Sequence, residues 1–207
     1  MSGLRKKKKE ETRNKILFAA EKIFLVKGYT HTKTSEIAKE AGIAEGTVFN
    51  YFSNKSEILF SLISKMFCVE KYEFSSSKSD PNQIKPEIFA FLDHYLSPAK
   101  HINKSLLREV FSAVFKYTPE SKVIFEGLLE FDRIIIQKLR YHLLELKSQQ
   151  LISKDESIDQ FLDLSYGIIM YLFSKFVLKD DMTFETFFKD LCVKLDILMT
   201  ILLEKKE

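Results

Sequence analysis

The sequence is poor in the residues that build disulfide-rich, turn-rich or membrane-spanning proteins. Among its 207 residues are no tryptophan, two cysteines, four prolines and six glycines. So few turn-forming residues disfavour a β-rich fold, and no apolar run approaches the roughly 20 residues that a membrane span needs. Cys68 and Cys192 stand far apart in apolar surroundings. We therefore expect two reduced, packed thiols in a cytoplasmic protein rather than a disulfide or a redox switch.

Positive charge is concentrated towards the N-terminus. Residues 1–60 carry 12 Lys/Arg and 7 Asp/Glu, whereas residues 61–207 carry 20 and 22. A basic end suits binding to a phosphate backbone, although the run Lys6–Lys9 equally fits a solvated tail that aids solubility. Because residues 1–9 combine like charges with no apolar period, they are predicted to form a disordered basic arm.

Apolar residues recur with the period of a helix along most of the remaining chain. The first stripe, which includes Ile16, Ala20 and Phe24, predicts a helix from about residue 10 that ends at Gly28. Polar breaks are expected at Ser75–Pro81 and Thr118–Pro119. The other predicted helices cover about residues 34–41, 45–51, 54–66, 84–95, 106–115, 123–146, 158–177 and 184–202. We expect an all-α fold of about nine helices.

Residues 30–55 read THTKTSEIAKEAGIAEGTVFNYFSNK, which predicts two short helices joined by a tight turn. Ala38 is small enough for the helices to cross closely, and Gly42 gives the turn its backbone freedom. The residues expected to point inward are Ile37, Ala41, Ile43 and Val48. Phe49 and Tyr51 are left for the outer surface, where a ring edge suits a thymine methyl and a phenol suits a phosphate. This pattern is typical of a helix-turn-helix that places its second helix in the DNA major groove.

The residues around this unit extend the pattern. They read RNKILxAAxxIFxxxGY over residues 13–29 and IAxxAGIAxGTVFNYFxNKxEIL over residues 37–59. In these motifs, which cover about a quarter of the chain, the sequence resembles the TetR family of bacterial transcriptional regulators. The resemblance implies an N-terminal three-helix helix-turn-helix domain and a C-terminal helical bundle for ligand binding and dimerisation. The predicted boundaries are a basic arm over 1–9, the DNA-binding domain over 10–53 and the larger domain over 54–207.

The same resemblance implies the DNA-facing positions, with Lys55 holding a phosphate. They are Lys33, Thr34, Ser35, Glu45, Gly46, Thr47, Phe49, Asn50, Tyr51 and Lys55. Two of them depart from the family pattern. Lys33 stands where a Ser or Thr cap is common, so Thr32 or Thr34 must cap the helix, or its start frays; Lys33 itself would then be free to reach a phosphate. Glu45 would either accept a hydrogen bond from a cytosine amino group or repel the DNA backbone.

The larger domain carries no motif, so its residues are assigned from their helical stripes. Two stripes predict a four-helix homodimer interface across a two-fold axis: Phe161, Ile168, Leu172, Phe176, Phe184, Phe188, Leu191, Leu195 and Leu198. Aromatic residues are candidates for an apolar effector pocket or for ordinary core: Phe91, Tyr95, Phe111, Phe115, Phe131, Tyr166 and Phe173.

Nothing in the sequence indicates catalysis, a cofactor or a metal. His94 and His101 are separated by the break at Ser97–Pro98 and have no third ligand nearby. We therefore expect no enzyme, but a cytoplasmic homodimeric regulator, most often a repressor in this family, that a small hydrophobic effector releases from palindromic operator DNA. Two alternatives stay open. One is a TetR-like DNA-associated protein that acts through a protein partner, and the other is a carrier of apolar ligands that has lost DNA binding.

Overall fold

Helices form almost all of the backbone in the computed structural model, which describes residues 2–66, 72–74, 80–116, 122–152 and 157–203. Within these ranges there are nine α-helices, one 3-10 helix and no strand, which confirms the predicted all-α fold. The elements are α1 (Ser2–Lys27), α2 (Thr34–Glu40), α3 (Glu45–Phe49), α4 (Lys55–Met66), α5 (Pro81–Leu96), a 3-10 helix (Ser97–His101), α6 (Lys104–Lys116), α7 (Lys122–Ser148), α8 (Ile158–Leu178) and α9 (Phe184–Leu203).

The chain divides into two units. The first consists of Met1–Cys68 and Ile102–Leu129, and the second of Val69–His101 and Glu130–Glu207. The first unit thus holds α1–α4, α6 and the start of α7. The predicted boundary after residue 53 would separate α4 from the helix-turn-helix. The structure instead groups α4 with it, and Arg13 of α1 donates a 2.9 Å hydrogen bond to Ser61 of α4.

The first unit has its core between α1, α2 and α4. Ile16, Phe24, Ile37 and Ile58 are buried there. Gly28 ends α1 with φ +78°, and its amide donates to the carbonyl of Phe24 at 3.0 Å, as expected for a residue just beyond a helix C-terminus.

The structure differs from expectation at the N-terminus, where residues 2–9 form the first two turns of α1 instead of a disordered arm. Lysine is a good helix former, and a helix extends easily from turns that already exist. Residues 5–9 are all exposed, so water separates their charges from the rest of the chain.

The second unit contains the α8–α9 pair. Phe176 of α8 meets Phe184 and Phe187 of α9, with ring centroids 6.0 and 5.6 Å apart, and Leu191 and Leu195 continue the buried seam. Side chains cap the N-termini of α5 and α8 in this unit. The Asp80 carboxylate accepts a hydrogen bond from the amide of Asn82 in α5, and the Ser157 hydroxyl accepts one from the amide of Gln160 in α8.

Helix α8 is long and apolar enough to pass a membrane-span test of length and composition, with a mean hydropathy of 1.5. A single such helix is weak evidence, because core helices pass the same test. The charged residues Asp159, Asp163 and Lys175 interrupt its apolar sequence.

The remaining expectations concern breaks and cysteines. Ser97–Pro98 ends α5 as predicted, by starting the 3-10 helix. Most of Ser75–Pro81, the Thr118–Pro119 break and Cys68 lie outside the described residues. Cys192 is half-buried on α9 with a free thiol, and burial raises the pKa of that thiol.

Candidate nucleic-acid interface

Helices α2 and α3 cross over a small sealed core. Ile37 and Val48 are buried, as predicted, and so is Ala38 at the crossing, whereas Ala41 and Ile43, also predicted to point inward, are half-buried. Gly42 adopts φ +67° between the two helices, and the amide of Ile43 donates to the carbonyl of Ala38 at 3.0 Å. A side chain at position 42 would be strained in that left-handed conformation. The turn therefore fixes the angle at which α3 leaves α2.

The start of α2 is capped differently from expectation. Lys33 is the residue that precedes the helix, and its own amide donates to Glu36 Oε2 at 2.9 Å. Neither neighbouring threonine caps it: Thr32 donates to the carbonyl of Gly28 at 2.8 Å, and Thr34 donates to Glu45. A lysine side chain has no acceptor, so Glu36 supplies the helix's only described side-chain cap from within its first turn. The Lys33 side chain remains exposed.

The outward surface of α3 carries the predicted contact residues. Glu45, Gly46, Phe49 and Asn50 are exposed, Thr47 and Tyr51 are half-exposed, and of the α2 positions Ser35 is exposed and Thr34 half-buried. Half of the Phe49 surface, 50%, is open to solvent. A short helix that exposes an aromatic ring beside an amide and a carboxylate offers apolar, donor and acceptor groups to a partner.

Lys55 contacts other residues of the protein in this structure, and its predicted contact with a DNA phosphate stays a prediction. Its ammonium donates to the carbonyls of Tyr29, Thr30 and Thr32 at 2.6, 3.3 and 2.8 Å, and it lies 4.4 Å from the Tyr29 ring centroid. Burial lowers the pKa of Lys55, and the Glu109 carboxylate partly offsets this. An ammonium has three protons, and all three are used here. Lys55 therefore ties the α1–α2 loop to α4.

Two side chains cap the start of α4. Asn54 Oδ1 accepts from the amide of Glu57 at 2.8 Å, and Glu57 Oε2 accepts from the amide of Ser53 at 2.6 Å. Phe52 is buried, with the Arg13 guanidinium 5.0 Å from its ring centroid, so it is a packed aromatic residue.

Ion pairs join α1 to α2 beside the helix-turn-helix. Lys22 lies 2.5 Å from Glu40, and Lys27 pairs with Glu36. The hydrogen bond from Lys27 lowers the pKa of Glu36. All four side chains are at least one-third exposed, so these pairs add little stability.

The seven aromatic residues proposed for a pocket fall into separate groups. Phe91 and Tyr95 are buried with ring centroids 4.9 Å apart, and Lys138 donates to the Tyr95 hydroxyl at 2.8 Å. Phe111 and Phe115 belong to the first unit, with centroids 6.2 Å apart, and Phe115 is 80% exposed. The others lie in the second unit: Phe131 and Phe173 are half-buried, and Tyr166 donates to Asp132 at 2.6 Å.

The Asp132–Tyr166 pair is polar and half-buried. Burial raises the pKa of Asp132 against the opposing effect of the Tyr166 hydrogen bond. Burial and that same hydrogen bond raise the pKa of Tyr166 strongly, so its hydroxyl stays a donor. From the sequence, Tyr166 is predicted only as an aromatic residue of a pocket or of the core.

The residues proposed for the dimer interface are mainly packed within the chain. Of the nine, six are buried against the α8–α9 core, namely Phe161, Leu172, Phe176, Phe184, Leu191 and Leu195, and Ile168, Phe188 and Leu198 are half-exposed. A second set of apolar residues, which the sequence reading left out, is exposed on the same two helices: Leu164, Met170, Tyr171 and Leu178 on α8, and Val193, Ile197 and Ile201 on α9. A weak spacing signal was present, since Val193, Ile197 and Ile201 repeat every four residues.

Among the described residues no group of three His, Cys, Asp or Glu side chains is placed to hold a metal ion. His94 lies on α5 and His101 at the end of the 3-10 helix. His142 is buried, stacks on Phe74 at 3.8 Å, and has its Nε2 3.5 Å from Glu87.

Comparison with known proteins identifies the N-terminal unit. Residues 16–62, from the core of α1 into α4, match the family described as bacterial regulatory proteins, tetR family. The fatty acid metabolism regulator protein of Bacillus subtilis (strain 168) is 41% identical over 59 residues, which are 28% of this chain and 30% of that protein. The chain thus matches under a third of that relative's length.

Solved structures extend the likeness to the whole fold. NalD, the secondary repressor of the MexAB-OprM multidrug efflux pump in Pseudomonas aeruginosa, has a TM-score of 0.67 at 18% identity, covering 97% of this chain and 100% of NalD. Thermus thermophilus FadR, solved in complex with lauroyl-CoA, has a TM-score of 0.61 at 21% identity, covering 94% and 97%. Residues 16–62 thus match the TetR family of bacterial regulatory proteins, and the whole chain shares the fold of these solved structures.

Proposed function

We propose that this protein is a homodimeric transcriptional repressor that binds palindromic operator DNA and is released by a small hydrophobic effector in the cytoplasm. The observation that carries the proposal is the sealed α2–α3 unit, which exposes Glu45, Phe49 and Asn50 on one short helix. In a dimer, the two α2–α3 units would contact operator half-sites about one helical turn of DNA apart, roughly 34–36 Å. The exposed basic residues 5–9 in the same unit supply positive charge for the phosphate backbone.

The exposed apolar residues of α8 and α9 support the homodimer. Leu164, Tyr171 and Leu178 repeat every seven residues, and Val193 and Ile197 lie on the neighbouring helix. Two packed helices with an outer apolar face bury it by forming a four-helix arrangement with a second copy. In a two-fold dimer the same patch serves on both chains. We place the interface on these residues, outside the seam that the sequence stripes identified.

The effector proposal rests on the second unit and on two relatives. One related protein is named for fatty acid metabolism, and the similar T. thermophilus structure holds lauroyl-CoA. In this chain, the buried Phe91 and Tyr95 are the apolar candidates for contact with an effector, and Lys138 and the Asp132–Tyr166 pair are the polar candidates. An effector with higher affinity for the non-binding conformation would shift the population and release the DNA.

The test is DNA binding by the full-length protein to palindromes selected from a random library at low salt. We expect a footprint whose affinity falls steeply as salt rises. Phe49→Ala should weaken specific binding about tenfold, within the range of one base contact. Phe18→Ala is the matched control, since Phe18 is an exposed phenylalanine on α1 of the same unit.

The outcomes separate this function from the two alternatives. Failure to footprint any selected palindrome at low salt would leave a carrier of apolar ligands as the better description. Specific DNA binding that no acyl-CoA or other apolar compound weakens would favour action through a protein partner. Tyr51 and Phe49 are the residues to change in such tests, because substitution of Lys55 also disturbs the loop that it holds.

A further inference from the structure

One side-chain hydrogen bond joins the first residues of α2 and α3. The Thr34 hydroxyl donates to Glu45 Oε1 at 2.7 Å. Thr34 is half-buried and Glu45 is exposed. Within the described part of the chain, no hydrogen bond reaches Glu45 Oε2. The carboxylate is therefore held through one oxygen and offers the other to a partner.

The surroundings of Glu45 keep that second oxygen accessible. Glu45 is exposed, so a partner can reach its carboxylate. Thr34 is the first residue of α2, three positions before the buried Ile37. A glutamate normally loses side-chain entropy when it is ordered by a ligand. Here the hydrogen bond orders it beforehand.

A carboxylate oxygen accepts hydrogen bonds and donates none, which limits the base edges it can meet. Guanine presents N7 and O6, and thymine presents O4, all of which are acceptors and would repel it. Adenine presents a donor beside the acceptor N7, which suits the amide of Asn or Gln. Cytosine presents the N4 amino group, the partner for Glu.

We propose that Glu45, positioned by Thr34, selects cytosine at one position of each operator half-site. The inference rests on the proposed DNA-binding function and specifies the base that this function recognises at that position. Of the two roles that the sequence left open for Glu45, it assigns base recognition. Thr34 is a positioning residue, since it acts through Glu45.

The experiment is parallel selection of operators from one random double-stranded library, at one salt concentration, with four full-length proteins. Wild type should enrich a palindrome with cytosine at one position in each half. E45Q should move the preference there from cytosine to adenine. T34V keeps the β-branched shape but lacks the hydroxyl, and we expect it to lower the cytosine preference about tenfold, within the range of one base contact. T34S restores a hydroxyl and should keep the wild-type preference.

The readout is the base preference at that position, which a purely structural role of Thr34 would not change. If E45Q selects the same palindrome as the wild type at every position, the inference is wrong and the DNA-binding function still stands. If T34V and the wild type prefer cytosine equally, Thr34 does not position Glu45. Enrichment of no sequence by wild type at low salt would instead overturn the proposed function itself. Thermal melting of all four proteins checks that each is folded.

Discussion

At the scale of single residues, Lys55 holds the segment between α1 and α2 against α4. It stands at the first position of α4, and its ammonium lies among carbonyls of residues 29–32, which connect α1 to α2. The Tyr29 hydroxyl lies 2.7 Å from Ser56 Oγ, so a second contact links the same segments. Ser56 is buried, so the Tyr29–Ser56 contact belongs to the packed part of the unit.

We predict that Lys55→Met lowers the free energy of unfolding by about 1–3 kcal/mol, because partly buried carbonyls lose a charged donor. Urea denaturation followed by circular dichroism measures the change. Lys65→Met is the control on the same helix, where the lysine is exposed and bonds only the Asn14 side chain, at 3.1 Å. Such a surface change should stay within about 0.5 kcal/mol. If Lys55→Met is as stable as the wild type but binds DNA more weakly, the predicted contact between Lys55 and a DNA phosphate would be supported instead.

Residue roles were predictable from the sequence where local packing decides them. Small or apolar residues at helical spacing placed Ile37, Ala38 and Val48 inside correctly. The partner of a long polar side chain depends instead on segments distant in sequence, since Lys55 and Tyr29 are 26 positions apart. The Thr34–Glu45 bond was hidden for the same reason, although both residues had been singled out.

At the scale of helices, α4 approaches the start of α7 at a glycine. A Cβ placed on Gly127 would lie 2.0–2.7 Å from three ring atoms of Phe60. Both residues belong to the first unit. The Phe60 ring therefore occupies the space that any larger residue at position 127 would need, and it fixes the closeness of the two helices at this point.

Gly127→Ala tests this contact. Alanine is favoured over glycine in a helix by about 1 kcal/mol, but overpacking of a filled site costs about 1–3 kcal/mol. We expect a net loss of stability in the wild-type background, measured by urea denaturation. In a Phe60→Ala background the ring is gone, so the same substitution should become stabilising. A stabilising Gly127→Ala in wild type would show that Phe60 leaves this position at no cost.

The existence of the helices was predictable because apolar periodicity survives along most of the chain. The N-terminus was predicted to be disordered because a run of like charges favours disorder. Lysine, however, has a high helix propensity, and the segment is helical. The face of each stripe was harder to assign. Periodicity shows that residues such as Leu172 and Leu191 are buried, but an intrachain and an interchain neighbour leave the same pattern.

At the scale of the whole molecule, α8 and α9 present apolar residues on two faces. The inner face, with Leu172 and Leu191, is buried within the chain, and the outer face, with Tyr171, Val193 and Ile197, is more than half exposed. Apolar residues on both faces account for the high mean hydropathy of α8. A contiguous exposed apolar surface on packed helices is typical of a protein–protein interface. A standard stable interface buries roughly 800 Å² of surface on each chain.

Val193→Glu tests this assignment in the intact protein. A charge in the centre of an apolar interface must be desolvated without a partner, which is strongly unfavourable. We expect sedimentation at micromolar concentration to change from dimer to monomer, and affinity for a full palindrome to fall towards that for a half-site. Val26→Glu is the matched control, since Val26 is equally a helical valine and is 85% exposed on α1. If Val193→Glu remains a dimer with wild-type affinity for the palindrome, the two copies must meet through a surface other than the outer face of α8 and α9.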